Sequence, residues 1–392
     1  MQRYRRMLGL PGVRTLMLLM FFARIPVAAT SMVLTLYVAV GLGGSYGAAG
    51  LVGAAGTIGA AVGAPVMGVA IDRYGLRPAL VVATLGETAF WLGARFMSYP
   101  VLLVLSFVGG LISLPTMSIA RQAIAATVPD ELRRTAFSLD SVSVELTYMV
   151  GPAVAVLLAT QLSPRAATTG LGLAVLVVGT LIAVVNPRTR ADHEEQTAGP
   201  RLPRSQWLTP RFLAVLAVGA GAVFVLAGVD VTMVAALREN GQLSWTGLLV
   251  VIICAASALG GLVHGAVHRS LPQVVLMGAM GALTIPVAFL VGDWWLLALA
   301  LVPCSFLCAP TVAATGEEVA RLAPPSIRGA ASGLQSSAFT LGSSIGAPVI
   351  GFVVDHSSPA WGFAVAGMGG VAVAVAAWLA AAGRRADTPV TV

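Results

Sequence analysis

The chain has 392 residues, of which 57% are hydrophobic and only 10% charged, with a mean hydropathy of +0.90. No soluble domain with a polar skin has this balance, so composition predicts a polytopic membrane protein. The net charge of +7 would suit nucleic acid, but its distribution along the chain excludes that partner, as follows.

At about 20 residues per crossing, twelve apolar stretches qualify as spans: 15–40, 46–70, 78–98, 100–127, 135–160, 166–186, 211–236, 244–266, 272–291, 294–320, 328–354 and 360–382. They lack the short alternating segments of a lipid-facing barrel, so helices must satisfy the backbone. The basic stretch before the first span could pass for a secretory leader, but that span outruns a leader's apolar core and eleven more follow. All 23 basic residues are arginine. With the amino terminus set in the cytoplasm, eighteen of them fall on that side and three, Arg95, Arg165 and Arg238, on the other. This positive-inside bias places both termini in the cytoplasm and assigns the basic surplus to topology, with no nucleic-acid partner.

In chain order, the first charge inside a span is Arg24, in Phe21-Phe22-Ala23-Arg24-Ile25-Pro26. Such a residue costs at least about 2.5 kcal/mol on insertion scales and must face protein, water or a partner. Spans two and three are joined by Gly68-Val-Ala-Ile-Asp72-Arg73-Tyr-Gly75-Leu-Arg77-Pro78. This reads as a tight surface turn, with Gly75 where a side chain would clash and Pro78 in the first turn of the next helix. Asp72, the one acid, is placed to meet the positive N-terminal end of a neighbouring helix.

The spacing G-x-x-x-D-R-x-G-x-R resembles the signature loop between the second and third helices of major facilitator superfamily transporters. The resemblance implies an all-α membrane fold, twelve helices in two six-helix bundles that rock around a central site, working as a monomer. It also implies a conformational latch. Gly68, Asp72, Arg73 and Gly75 would close the cytoplasmic side against the start of span eleven near Arg328, with Arg77 and Arg133 near enough to compete for Asp72.

Glu87 is central on span three, and a structural hydrogen bond to a neighbouring helix is expected of it. Arg121, on span four, and Asp140, on span five, lie at equal distances from the turn at Asp130-Glu131 and so at similar depth, where they could pair. Glu145 is one to two turns deeper, near the level of Arg24. In the family, spans one and four line the cavity, and Arg121-Gln122 is similar to a motif found there. Arg24, Arg121, Asp140 and Glu145 are therefore candidates for one cavity network. Two readings stay open: a network that exchanges partners and carries a proton, or a static pair holding spans four and five together. Gly151-Pro152 resembles the start of the motif of proton-driven drug exporters, with Ala155 and Val156 where that motif has further glycines. It reads as a helix break, as does Pro348.

Residues 187–210, rich in proline and charge, read as a cytoplasmic linker between an amino-terminal bundle, 1–186, and a carboxyl-terminal bundle, 211–392. His193 within it reads as solvated, not as a metal ligand. A shift of 195 residues aligns Pro115-Thr116 with Pro310-Thr311, Arg133 with Arg328, Ser141 with Ser336 and Gly151 with Gly346, a parallel duplication. Val267 falls where Asp72 would be repeated, so the latch is one-sided. In the second half Asp230 is the only deep acid and a candidate for substrate contact. Glu317 is expected to pair with Arg321 one turn on, and Cys254, Cys304 and Cys308 read as buried, space-filling thiols.

No P-loop, H-E-x-x-H or His-Cys cluster is present, so neither nucleotide, metal nor other cofactor is expected. The first expectation is proton-coupled export of a lipophilic small molecule across a bacterial cytoplasmic membrane. Uptake or exchange of a small organic anion is the transport alternative, favoured if Arg24 and Arg121 stand unpaired in the cavity. A non-transporting membrane sensor or assembly partner is the reading from another class, against which counts the lack of an attached soluble receptor domain.

Overall fold

The computed structural model describes residues 2–189, 204–267 and 271–382. Most of the expected linker, including His193, lies outside the described residues. A short helix α1 (Gln2–Leu8) precedes α2 (Val13–Leu36), which ends in a π turn at Tyr37–Gly41. Then come α3 (Tyr46–Tyr74), α4 (Leu76–Ala94), α5 (Tyr99–Leu111), α6 (Thr116–Thr127), α7 (Asp130–Gln161) and α8 (Pro164–Val185). The second half has α9 (Arg204–Trp207), α10 (Pro210–Glu239), α11 (Thr246–Ala266), α12 (Gln273–Thr284) with a 3-10 turn to Phe289, α13 (Trp294–Phe306), α14 (Cys308–Leu322), α15 (Arg328–His356) and α16 (Pro359–Ala382).

Among the described residues, ten spans are long and apolar enough to cross a bilayer by themselves. The other two of the twelve are α4, which carries Arg77 and Glu87, and the shorter helix Gln273–Phe289. Several helices outrun their apolar stretch. α7 starts at Asp130, five residues before the apolar run, because Asp130 and Glu131 in its first turn complement the positive helix end.

Spans four and ten are broken, at Ile112–Pro115 and at Leu307, and the two breaks coincide under the 195-residue repeat. Pro115 and Pro310 lack the amide that a continuous helix would need at these points and disfavour helical backbone just before them. The expected breaks at Gly151-Pro152 and Pro348 are corrected, since α7 and α15 run through both without interruption. Gly151 instead serves packing. A side chain there would strike Ala28 and the backbone of Ala29 on α2, and one on its repeat partner Gly346 would strike Phe224 on α10. Small residues do the same work elsewhere: Gly59 and Gly63 on α3 ride on the backbone of Phe107 and Leu111 of α5.

The helices form two bundles of six spans each, α2–α8 and α10–α16, with α5 and α6 making up span four and α13 and α14 span ten. Lipid-facing ridges are apolar and open, as at Leu173, Val177, Leu181 and Val184 along α8. The bundles meet where α3 crosses α15 and where α7 crosses α11. At the end bearing α1, the stripe Ala61, Pro65, Gly68 and Asp72 of α3 lies against Gly329, Gly333 and Ser337 of α15. Followed the other way, the same two stripes become exposed, at Ala54 and Gly50 on α3 and at Leu341, Ser344 and Pro348 on α15. The molecule is thus a cleft, shut at one end and open at the other.

Candidate functional site

The shut end is held by polar contacts between bundles. Gly329 and Ala330 fall in the first turn of α15, where amides have no helical acceptor, and the residue before that turn, Ile327, offers no side-chain cap. Asp72 supplies it from the other bundle: its Oδ1 accepts from Gly329 N at 3.0 Å and its Oδ2 from Ala330 N at 2.9 Å. The approach requires two glycines. A Cβ on Gly68 would overlap the Gly329 carbonyl, and one on Gly329 would press on the Asp72 carboxylate. Gly75, at φ 87°, turns the chain between α3 and α4 in a conformation that glycine adopts readily.

The arginines around this contact differ in what they do. Arg328 is buried at the same helix end, whereas Arg73 lies in the open over the Tyr74 ring. Arg77 donates to Ala183 O, and Arg133 donates to Val128 O and Ala125 O and pairs with Asp130, all within the first bundle.

Further ties cross at this end. Thr135 donates to Gly265 O at 2.7 Å, Ser118 and Ser336 share a hydrogen bond, and Ser337 donates to Ala61 O. Glu317 pairs with Arg134 of the other bundle at 3.3 Å. The expected Glu317–Arg321 pair does not form, because Arg321 takes Glu318, which also receives Arg211. Helix α1 adds a strap: Tyr4 donates to Leu262 O at 2.9 Å and Arg3 to Val267 O at 3.2 Å. Burial pushes the Tyr4 hydroxyl up to about 12, so it remains a donor at physiological pH.

Above the shut end lies the charged cluster. Arg24 Nη1 stands 2.7 Å from Asp140 Oδ1, with both side chains almost fully buried at 2% and 4% exposure. The approach is off the N–H axes, and Nε, Nη1 and Nη2 of Arg24 make no hydrogen bond. Equal depth suggested Arg121 as the partner of Asp140, but α2 packs along α7 and brings Arg24 to the carboxylate first. Arg121 is instead stacked over the Phe339 ring of α15, 4.7 Å from its centre, with Nε and Nη1 lacking a hydrogen-bond partner. It remains within electrostatic range of Asp140 and Arg24.

Glu145 turns away from these arginines and crosses to the second bundle. Its Oε1 accepts from Ser257 Oγ at 2.9 Å, with Cys308 Sγ at 3.9 Å. Tyr148, exposed one turn on, lies within range of both Arg24 and Glu145, and Asp230 is exposed on α10 within range of Glu145. Ser257, Tyr148 and Phe339 were not singled out in the sequence, and Cys308 was read there only as a space-filling thiol. Their signal there is only that of isolated polar or aromatic residues in apolar runs. Both helix breaks are capped by side chains from a neighbouring helix. Glu87 accepts from Leu114 N at 2.6 Å, the structural hydrogen bond expected of it, and Ser257 accepts from Ala309 N at 3.2 Å. Among the described residues no three His, Cys, Asp or Glu side chains converge as a metal site would require.

The profile of the Major Facilitator Superfamily matches residues 16–292, well over half of the chain. A comparison with curated proteins finds no match. Solved structures with this architecture include the human organic anion transporter MFSD10, 17% identical with a TM-score of 0.71, covering 94% of this chain and 100% of that one. The proton:xylose symporter XylE is 14% identical with a TM-score of 0.70, covering 93% and 95%. A bacterial homologue of the iron transporter ferroportin, solved in an outward-facing state, is 16% identical with a TM-score of 0.73, covering 94% and 98%. At these identities the likeness carries the fold alone. Family match, twelve helical spans and a cleft between two bundles agree: the chain belongs to the Major Facilitator Superfamily and is a multi-pass membrane protein, a secondary transporter.

Proposed function

We propose that this transporter exports a lipophilic small molecule from a bacterial cytoplasm in exchange for protons. Residues 1–186 and 211–392 rock as two bodies about the cleft, joined by 187–210, and a single chain suffices. The shut, basic end faces the cytoplasm with both termini, as the arginine bias supports, so the cleft described here opens outward.

One observation carries the reading. Two acids, Glu145 and Asp230, stand within range of each other on opposite bundles, while the Asp140 charge is already met by Arg24. A carboxylate in the membrane interior without a cation costs several kcal/mol, and a proton from the open side removes that cost. Neutralised, the acids let the bundles part at the latch and close at the other end. The proton then leaves to the cytoplasm as solute enters. Apolar walls at Ala54, Leu341 and Pro348 suit a lipophilic solute.

Arg121 favours a second reading. Its unused donors would meet a small organic anion, and MFSD10 is an organic anion transporter. Arg24, being paired and buried, counts against it. The test is flux in proteoliposomes with and without an imposed pH gradient, using a lipophilic fluorescent dye and an aromatic carboxylate. Dye movement that follows the gradient supports export. Carboxylate movement alone selects the second reading, and no flux of either overturns both in favour of a sensor or assembly role.

A further inference from the structure

A second cavity lies outside the cleft, at the open end of the first bundle and about 800 Å³ in volume, between the π turn after α2, the end of α4 and the start of α8. Its lining includes Tyr37, Arg95, Phe96, Arg165, Thr169 and Leu173. Arg95 and Arg165 are two of the three arginines that the sequence places on this side. No acid lines the cavity, and among the described residues neither arginine forms an ion pair. Arg95 makes only a long hydrogen bond to Thr169, at 3.5 Å, and lies over Phe96. Tyr37 is fully buried, and its hydroxyl has no hydrogen-bond partner. Two cations and a spare donor therefore share one pocket with nothing of opposite charge.

We propose that this pocket holds the phosphate of an anionic phospholipid from the leaflet at the open end. Three features select a lipid of that charge. The pocket sits at helix ends, where headgroups lie. The exposed ridge Leu173, Val177, Leu181 and Val184 runs from it along α8 and offers an acyl chain a path. Finally, the lining has no carboxylate to meet the ammonium of a zwitterionic headgroup.

Native mass spectrometry of the detergent-purified chain tests this, with phosphatidylglycerol, phosphatidylcholine and inorganic phosphate as probes. Phosphatidylglycerol should be retained in preference to phosphatidylcholine and not displaced by millimolar phosphate. At about fivefold in affinity per surface arginine, Arg95→Ala with Arg165→Ala should weaken its binding by roughly thirtyfold. The corresponding pair of lysine substitutions, which keeps the charge, should stay within a few-fold of the wild type, and Tyr37→Phe should weaken binding by a few-fold. Equal retention of both lipids, unchanged binding in the double alanine variant, or lysines as damaging as alanines would overturn the assignment. Displacement by phosphate would overturn the lipid as occupant and give the pocket to a soluble anion.

Discussion

Asp140 lies within range of two arginines and touches one. That choice separates the two readings of the cluster, because a static pair contributes only structure whereas a coupling pair must also be charged. Removing one partner of a buried pair costs about 3–5 kcal/mol, and replacing both by apolar residues restores much of it. Asp140→Leu should therefore lower the thermal midpoint, and Arg24→Met with Asp140→Leu should recover it while gradient-driven flux stays lost. Recovery of flux along with stability would make the pair structural only. Glu145→Gln keeps a group able to accept from Ser257 but cannot release a proton. Solute exchange without a gradient should persist in it while accumulation driven by a pH gradient disappears, which counterflow and gradient assays separate. The acids and arginines of this cluster stand out in the sequence because charge is rare in apolar spans. Their pairing does not, because depth along the spans favours Arg121, level with Asp140, over Arg24, one to two turns deeper, and the sequence carries no measure of how close each helix packs to α7.

At the scale of elements, α15 begins without a cap of its own and receives Asp72 from α3. Losing a cap of this kind costs about 0.5–2 kcal/mol. Asp72→Asn, which can still accept one hydrogen bond but carries no charge toward the helix end, should shift the latch toward the open form by a few-fold and cut transport, with protein still reaching the membrane. Cysteine accessibility at Ser118 or Ser336 reports the shift, and full activity with unchanged accessibility would remove the latch. Deleting residues 2–8 takes away the α1 strap, with its bonds from Tyr4 and Arg3 to α11, and should move the same probe in the same direction. The turn at Gly75 and the use of Asp72 at a helix end were legible because both follow from short-range chemistry: one residue that adopts a positive φ readily, and one acid among arginines. The helix breaks were misplaced for the opposite reason. Proline marks where a helix can fail, but neighbouring helices decide where it does. Glu87 and Ser257 cap the interruptions at spans four and ten, while α7 and α15 stay whole through Pro152 and Pro348.

For the whole molecule, closure at one end and opening at the other form a single observable. Spin labels at Ala54 and Ser344 across the open end, and at Ser118 and Ser336 across the shut end, should change distance in opposite senses when Gly329→Val forces α3 and α15 apart. Distances that stay constant, or move together, would exclude rocking of two bodies. What the sequence determined by itself was everything that depends on local composition: twelve apolar spans, their helical state, the duplication at 195 residues, the arginine bias and the few charges that the bilayer does not tolerate idly. Only the tertiary structure decided which arginine met Asp140, that Glu145 and Glu317 reach across to the other half, and which end of the cleft stands open. Hydrophobicity and helical period are properties of neighbours along the chain, whereas these contacts join residues more than 100 and, at the shut end, as many as 264 positions apart. Several partners of similar depth compete for each such contact, and only the packed distance between helices chooses among them.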